Sequence, residues 1–305
     1  MVTIETLKKR KSRRFSSDRI KVFLFLIPAA VLLLVFLVIP IFQCLYYSLF
    51  NWNGMGPAED FIGILNYKKI INDSVFIKAV LNTFAIVGLS LFVQLPLALF
   101  LAIMIGRGIK GRAFYRTVFF LPYVLSETIT AVMWRILYNP DPKRGFINAV
   151  FQAFGWKMQD WLGNMNLVLF SIFIVLTWKY IGFHMLLYIT GLQNIPRDVE
   201  EAALIDGVNK RQMLTYITLP LLSGTIRTSA YLSVLGSLQV YAIVWIMTKG
   251  GPVNASEVLS TYMYRFSFVR FQLGYGAAVA IVMLIISLIF SITYMSLTRR
   301  TEHVA

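Results

Sequence analysis

Residues 22–58 pass without a single charged side chain, and the apolar part of that stretch ends near Phe50. A helix needs about 20 mostly apolar residues to cross the hydrocarbon core of a bilayer. Five later stretches reach that length: 79–106, 114–137, 162–189, 228–248 and 273–298. Lipid offers nothing to an unpaired backbone N–H or C=O, so such segments close their hydrogen bonds internally as helices. The expectation is an all-α, polytopic membrane protein with six transmembrane helices. Composition agrees: 58% of residues are hydrophobic and 14% charged, where a soluble domain carries about a quarter charged. A soluble globular chain and a disordered one are both excluded.

The charge imbalance bears on topology. Lys and Arg number 29 against 14 Asp and Glu, a formal +15. In a membrane protein such an excess marks the cytoplasmic side and contact with anionic lipid, not nucleic acid. Lys8, Lys9, Arg10, Lys11, Arg13, Arg14, Arg19 and Lys21 precede the first apolar run. That run is too long for a signal peptide and no A-x-A-like site follows it, so a retained helix is expected. With the N-terminus inside, seventeen basic residues fall on the cytoplasmic side and ten outside. Both termini are therefore expected in the cytoplasm. The organisation read from this is a basic segment 1–21, a transmembrane domain 22–298 and a tail 299–305. Between the third and fourth stretches, Ile147, Val150, Phe151, Phe154 and Met158 recur at helical spacing, as in an amphipathic helix lying in the interface. Asn139-Pro140-Asp141-Pro142 before them reads as a turn.

Chemistry of the chain's own is sparse. Gly106 and Gly111 have the spacing of a phosphate loop, but Arg112-Ala113 stands where Lys-Ser/Thr is needed. His184 and His303 are the two histidines, and no HExxH or Cys/His cluster accompanies them. Cys44 is the lone cysteine and forms no intrachain disulfide. Ionisable groups inside spans are functional candidates by default. Lys179 and His184 in the fourth stretch qualify, whereas Glu127 in the third reads as a buried partner of an arginine or a backbone group. Trp178, Tyr180 and Phe183, with Ser233, Ser237 and Gln239 of the fifth stretch, combine ring faces with hydroxyl and amide groups. That mixture suits sugars. Against it stand interfacial-belt roles for Trp178 and Tyr180 and helix packing for Ser233 and Ser237.

The link between the fourth and fifth stretches, about 192–222, is the most structured of the loops. Pro196 suits a first helical turn, Asp198, Glu200 and Glu201 complement the positive helix end, and Gly207 provides a left-handed stop. Asn209 caps a second short helix bearing Met213, Leu214, Tyr216 and Ile217, which Pro220 is expected to end. Two short helices meeting at a glycine carry an apolar stripe that a partner's groove can cover.

Here the sequence resembles a family. Glu201-Ala202-Ala203, Gly207, Ile217 and Leu219-Pro220 match, position by position, the EAA loop of binding-protein-dependent ABC importer permeases. Arg116-Thr-Val-Phe-Phe-Leu-Pro122, Val132-Met-Trp134, Thr248-Lys-Gly-Gly-Pro252, Tyr262-Met-Tyr264 and Gly274-Tyr-Gly-Ala-Ala278 look like signatures of the sugar-importer branch. Phe61-Ile-Gly-Ile-Leu-Asn-Tyr67 is similar to the segment after its first span. The overall likeness is to the first, maltose- and glycerol-phosphate-type permease subunit. The resemblance implies the type I ABC importer permease fold in a bacterial inner membrane. It also implies a second homologous permease, a cytoplasmic ATPase dimer and an extracytoplasmic solute-binding protein. ATP and Mg would be used by the ATPase, with no cofactor on this chain. Glu201, Ala202, Ala203, Asp206, Gly207, Ile217, Leu219 and Pro220 would couple to the ATPase, and Trp178, Lys179, Tyr180, Phe183, Ser233, Ser237 and Gln239 would line the substrate pathway. Glu200 and Glu201 also fit a merely solvated face. The competing reading is an ion-coupled secondary transporter or channel acting without an ATPase. A membrane-embedded enzyme lacks its convergent acid, base and nucleophile.

Overall fold

A computed structural model describes residues 22–106 and 110–302, with side chains as far as Thr298. The basic segment 1–21, Arg107 and His303 lie outside the described residues. Regular structure within them is helical, apart from one isolated bridge between Phe50 and Phe61. In chain order the helices are α1 (Val22–Tyr47), α2 (Leu65–Asn72), α3 (Ser74–Gly106), α4 (Arg112–Val124), α5 (Glu127–Leu137) and α6 (Phe146–Ala153). There follow α7 (Val168–Gln193), α8 (Arg197–Ile205), α9 (Lys210–Leu238), α10 (Ala242–Thr248), α11 (Leu259–Tyr264) and α12 (Leu273–Glu302).

Four helices, α1, α3, α7 and α12, are long and apolar enough to span a bilayer alone. The other two expected spans are broken. Helices α4 and α5 meet at 97°, and α9 and α10 at 42°. The third apolar stretch is thus not one helix as expected. Pro122 sits in the last turn of α4, and Leu125 and Ser126 are extended, with ψ of 144° and 142°, before Glu127 starts a new helix. The fifth stretch is corrected at both ends: its helix begins at Lys210, well before 228, and yields near Gln239.

Three prolines stand inside long helices by a common device. Pro40, Pro96 and Pro220 each follow a π-helical segment by two residues: Leu34–Val38, Ser90–Gln94 and Met213–Thr218. A proline ring collides with the carbonyl four residues back and lacks an N–H to bond it. Widening the preceding turn to i→i+5 bonding moves that carbonyl out of the way. Pro220 therefore does not end a short helix, as expected from sequence, but lies within continuous α9.

Helix α7 is the hub, with buried residues along its whole length from Val168 to Leu192. Ile181, Met185 and Ile189 pack on Ala98 and Ala102 of α3, and Ile172 and Val175 join Ile243 and Val244 of α10. Small residues matter in lipid, where helices associate by close packing because the tails are as apolar as the side chains. A close backbone approach of this kind is at Gly182. A Cβ there would overlap the Phe119 carbonyl of α4 and stand 2.9 Å from the Phe120 Cα.

Helix α6 forms, but it ends at Ala153 and leaves Met158 outside. Nor is it a free interfacial helix. Phe151 is edge-on to Trp161 at 5.3 Å, and buried Asn148 donates to the carbonyls of Pro140 and Gln159. At the same end of the bundle the Thr248–Pro252 motif opens a locked corner. Glu257 is fully buried and paired with Arg265. Burial pushes its carboxyl up from the usual range, and the Arg265 guanidinium pulls it back. Asn82 of α3 donates to the carbonyls of Ala255 and Glu257 at 3.0 and 2.9 Å, and the Tyr262 hydroxyl reaches Asp73 at 2.7 Å.

Candidate functional site

Helices α3, α7 and α9 and the break between α4 and α5 enclose a cavity of about 360 Å³. The face of α7 turned toward it carries Leu176, Tyr180, Phe183 and His184, the i, i+4, i+7, i+8 stripe of one helical face. Leu232, Ser233, Gly236 and Ser237 of α9 lie opposite, closed off by Gln239 and Val240. Phe183 stacks on Tyr123 with centroids 5.0 Å apart. The Tyr180 hydroxyl donates to Glu127 Oε1 at 2.5 Å. His184 Nδ1 and Ser229 Oγ share a 2.8 Å bond, and Ser237 donates to Ser90 at 3.3 Å. Flat aromatic faces stand beside hydroxyl, amide and carboxylate groups, an arrangement able to cover C–H surfaces while pairing hydroxyls.

Of the residues expected along the pathway, Tyr180, Phe183, Ser233, Ser237 and Gln239 line this cavity. Trp178 and Lys179 do not, because they project from other faces of α7. Trp178 is edge-on to Trp134 at 5.6 Å. Lys179 is buried, and its Nζ donates to the carbonyls of Pro122, Tyr123 and Leu125 at 3.4, 3.5 and 2.5 Å. These are carbonyls at the end of α4, where a cation also meets the negative end of the helix dipole. Lys179→Met should leave them without a donor, at about 1–3 kcal/mol for a buried unsatisfied group. A clear drop in the melting temperature of the purified protein, with the methionine filling the space, is the expected result; an unchanged melt refutes the capping role.

Glu127 needs correction. Among the described residues it pairs with no arginine. It opens α5, accepts from Tyr180 and lines the cavity. Sequence reasoning also passed over Ser90, Gln94 and Tyr123. Gln94, a polar residue deep in an apolar run, was the available signal.

A second candidate site lies at the far end of α7, about 20 Å along the helix from Tyr180. Helix α8 begins there, with Asp198 and Glu200 in its first turn. It ends in a Schellman motif: Val208 N–H bonds the Ala203 carbonyl at 3.0 Å and Gly207 N–H bonds Leu204 at 3.1 Å, with Gly207 at φ +77°. Asn209 then caps α9 in a reciprocal box with Gln212. Glu201, Ala202, Asp206, Gly207 and Pro220 are exposed, Ile217 and Leu219 half-buried, and Ala203 buried against its own chain. The exposed apolar surface here includes Val199, Leu204 and Ile205 of α8 and Tyr216 of α9, with Leu204 and Ile205 64% and 86% exposed.

With both sites in view, the chain can be set beside known proteins. The family described as binding-protein-dependent transport system inner membrane component matches residues 76–303. A probable ABC transporter permease of Bacillus subtilis, YurN, is 37% identical over 284 residues, covering 92% of this chain and 96% of YurN. The diacetylchitobiose uptake permease NgcF of Streptomyces coelicolor is 30% identical, over 95% of this chain and 86% of NgcF. The multiple sugar-binding transport permease MsmF of Streptococcus mutans is 31% identical, over 91% and 95%. In fold, the chain is similar to a crystal structure of a bacterial ABC transporter that imports the acidic polysaccharide alginate. The TM-score is 0.83 at 24% identity, covering 95% of this chain and 99% of that one.

The fold and the family together define a membrane-embedded permease subunit of an ABC importer. This chain belongs to the binding-protein-dependent transport system inner membrane component family. A carrier working alone on an ion gradient is set aside with that assignment.

Proposed function

We propose that this permease carries carbohydrate through the cavity between α7 and α9, with α8 gripping a separate cytoplasmic ATPase. The cavity carries this reading: Tyr123 stacked on Phe183, beside Tyr180, Ser233, Ser237 and Gln239, supplies ring faces and hydrogen-bonding groups together. The sugar-named relatives NgcF and MsmF support the same class. A second permease supplies the other half of the pathway, and a solute-binding protein delivers the sugar to the end bearing α6 and the Glu257 corner. ATP and Mg act on the ATPase. Helix α8 is exposed at the opposite end, which faces the cytoplasm together with both termini. Closure of the ATPase pair moves α8, and α7, which leads into it through a short link, transmits that motion to the cavity.

The test is transport by the complete complex in proteoliposomes. ATP-dependent uptake of a labelled saccharide is expected. Pairing Ser237→Ala with Gln239→Ala removes two hydrogen-bonding groups, each contributing about 0.5–1.5 kcal/mol. Uptake should fall about tenfold while the ATPase still copurifies. Undiminished uptake by the double variant would refute the pathway.

A further inference from the structure

We infer that Glu127 makes the cavity a charge-selective passage, admitting neutral and amino-bearing saccharides and rejecting those with carboxylate or phosphate groups. The inference rests on the carbohydrate pathway proposed above.

Four observations carry it. Glu127 lines the cavity, and among the described residues no lysine or arginine does. Lys179, on the same helix as Tyr180, keeps its charge and acts on Glu127 through space, but it does not line the cavity. Its Nζ is bonded to the carbonyls of Pro122, Tyr123 and Leu125, so Glu127 is the charge presented to the passage. The carboxylate opens α5, where the helix dipole favours its negative charge. Tyr180 occupies Oε1 only, so Oε2 has no hydrogen-bond partner among the described residues and is open to a ligand. A carboxylate accepts hydrogen bonds and donates none. It therefore pairs with a sugar hydroxyl or a sugar ammonium, whereas a second anion brought against it meets like charge at short range in surroundings that screen poorly. The bond from Tyr180 favours the position of the carboxylate at the cavity wall.

The field is measurable without knowing the sugar. In the assembled transporter, with Cys44→Ser and Gln239→Cys in this chain, the cavity thiol is reacted with two methanethiosulfonates. One carries a trimethylammonium group and the other a sulfonate, and labelling of this chain is followed by mass spectrometry. The cationic reagent should react at least about tenfold faster than the anionic one, after normalisation to a free thiol. Glu127→Gln, which keeps the bond to Tyr180, should bring the ratio close to one. A ratio that favours the anion, or one that Glu127→Gln leaves unchanged, overturns the inference.

A second arm tests the sugars, using binding proteins that recognise each probe. Cellobiose and the glucosamine disaccharide should enter the wild-type transporter and digalacturonate should not, with Glu127→Gln relaxing the exclusion. Uptake of digalacturonate equal to that of cellobiose by the wild type also overturns it. If the thiol ratio behaves as expected and none of the three probes enters, the carbohydrate reading fails and the assignment to saccharides falls with it, while the charge selectivity stands on the thiol result.

Discussion

Gly182→Ala should destabilise the protein by about 3 kcal/mol or more, in the range of severe overpacking, although alanine is the better helix former. Within a helix the exchange by itself favours the folded state by about 1 kcal/mol. The sign reverses here because the added methyl would overlap the Phe119 carbonyl on α4. That atom is backbone and cannot rotate away, so α4 must move as a body. Movement pulls the end of α4 off Lys179 and unstacks Tyr123 from Phe183. Gly88→Ala on α3 is the matched control, because a Cβ there meets nothing within 4 Å. Thermal melting of the purified protein should separate the two: Gly88→Ala unchanged or slightly higher, Gly182→Ala far lower, with uptake lost. Equal melting temperatures would show that α4 and α7 are not locked at this crossing.

The opposite pattern is expected at α8. Glu201→Lys should leave the melting temperature nearly unchanged, Gly207→Pro should lower it only modestly through loss of the local turn, and both should abolish ATPase copurification and ATP-dependent uptake. Glu201 is exposed, and a Cβ at Gly207 would meet nothing within 4 Å, so neither change disturbs the packed bundle. Gly207 instead holds φ at +77° and donates its N–H to Leu204. Proline permits neither, since its φ is held near −65° and it has no N–H. The turn between α8 and α9 would then open, and the apolar pair Leu204 and Ile205 would no longer be presented at a set angle. Normal uptake by both variants would remove α8 from the coupling step.

Much of the candidate site could be read from the chain, though unevenly. Gly207 as a left-handed stop and Asn209 as a cap rest on backbone rules that act over four or five residues, and both hold in the structure. Tyr180, Phe183, Ser233, Ser237 and Gln239 were identifiable as polar or aromatic residues in apolar runs. Separating them from Trp178 and Lys179 was not, since that depends on which neighbour each face of α7 meets. Pro220 misled because a proline marks a helix end unless the preceding turn widens, and hydropathy carries no trace of a π-turn. Arg265 counted as one of ten basic residues on the outer side, but its charge is matched by Glu257, which lies fully buried.

By itself the sequence determined that the chain is helical, crosses a membrane several times and carries a capped elbow between its fourth and fifth apolar stretches. Apolar length and local capping decide those properties without reference to distant residues. Only the tertiary structure decided that the third stretch breaks at Leu125-Ser126, that Lys179 holds the broken end and that Glu127 faces a cavity. Each of these depends on an interaction across more than fifty positions of sequence. A span's hydropathy reports whether lipid will accept it, and the packing of α7 against α4 decides which side chains are left facing the path.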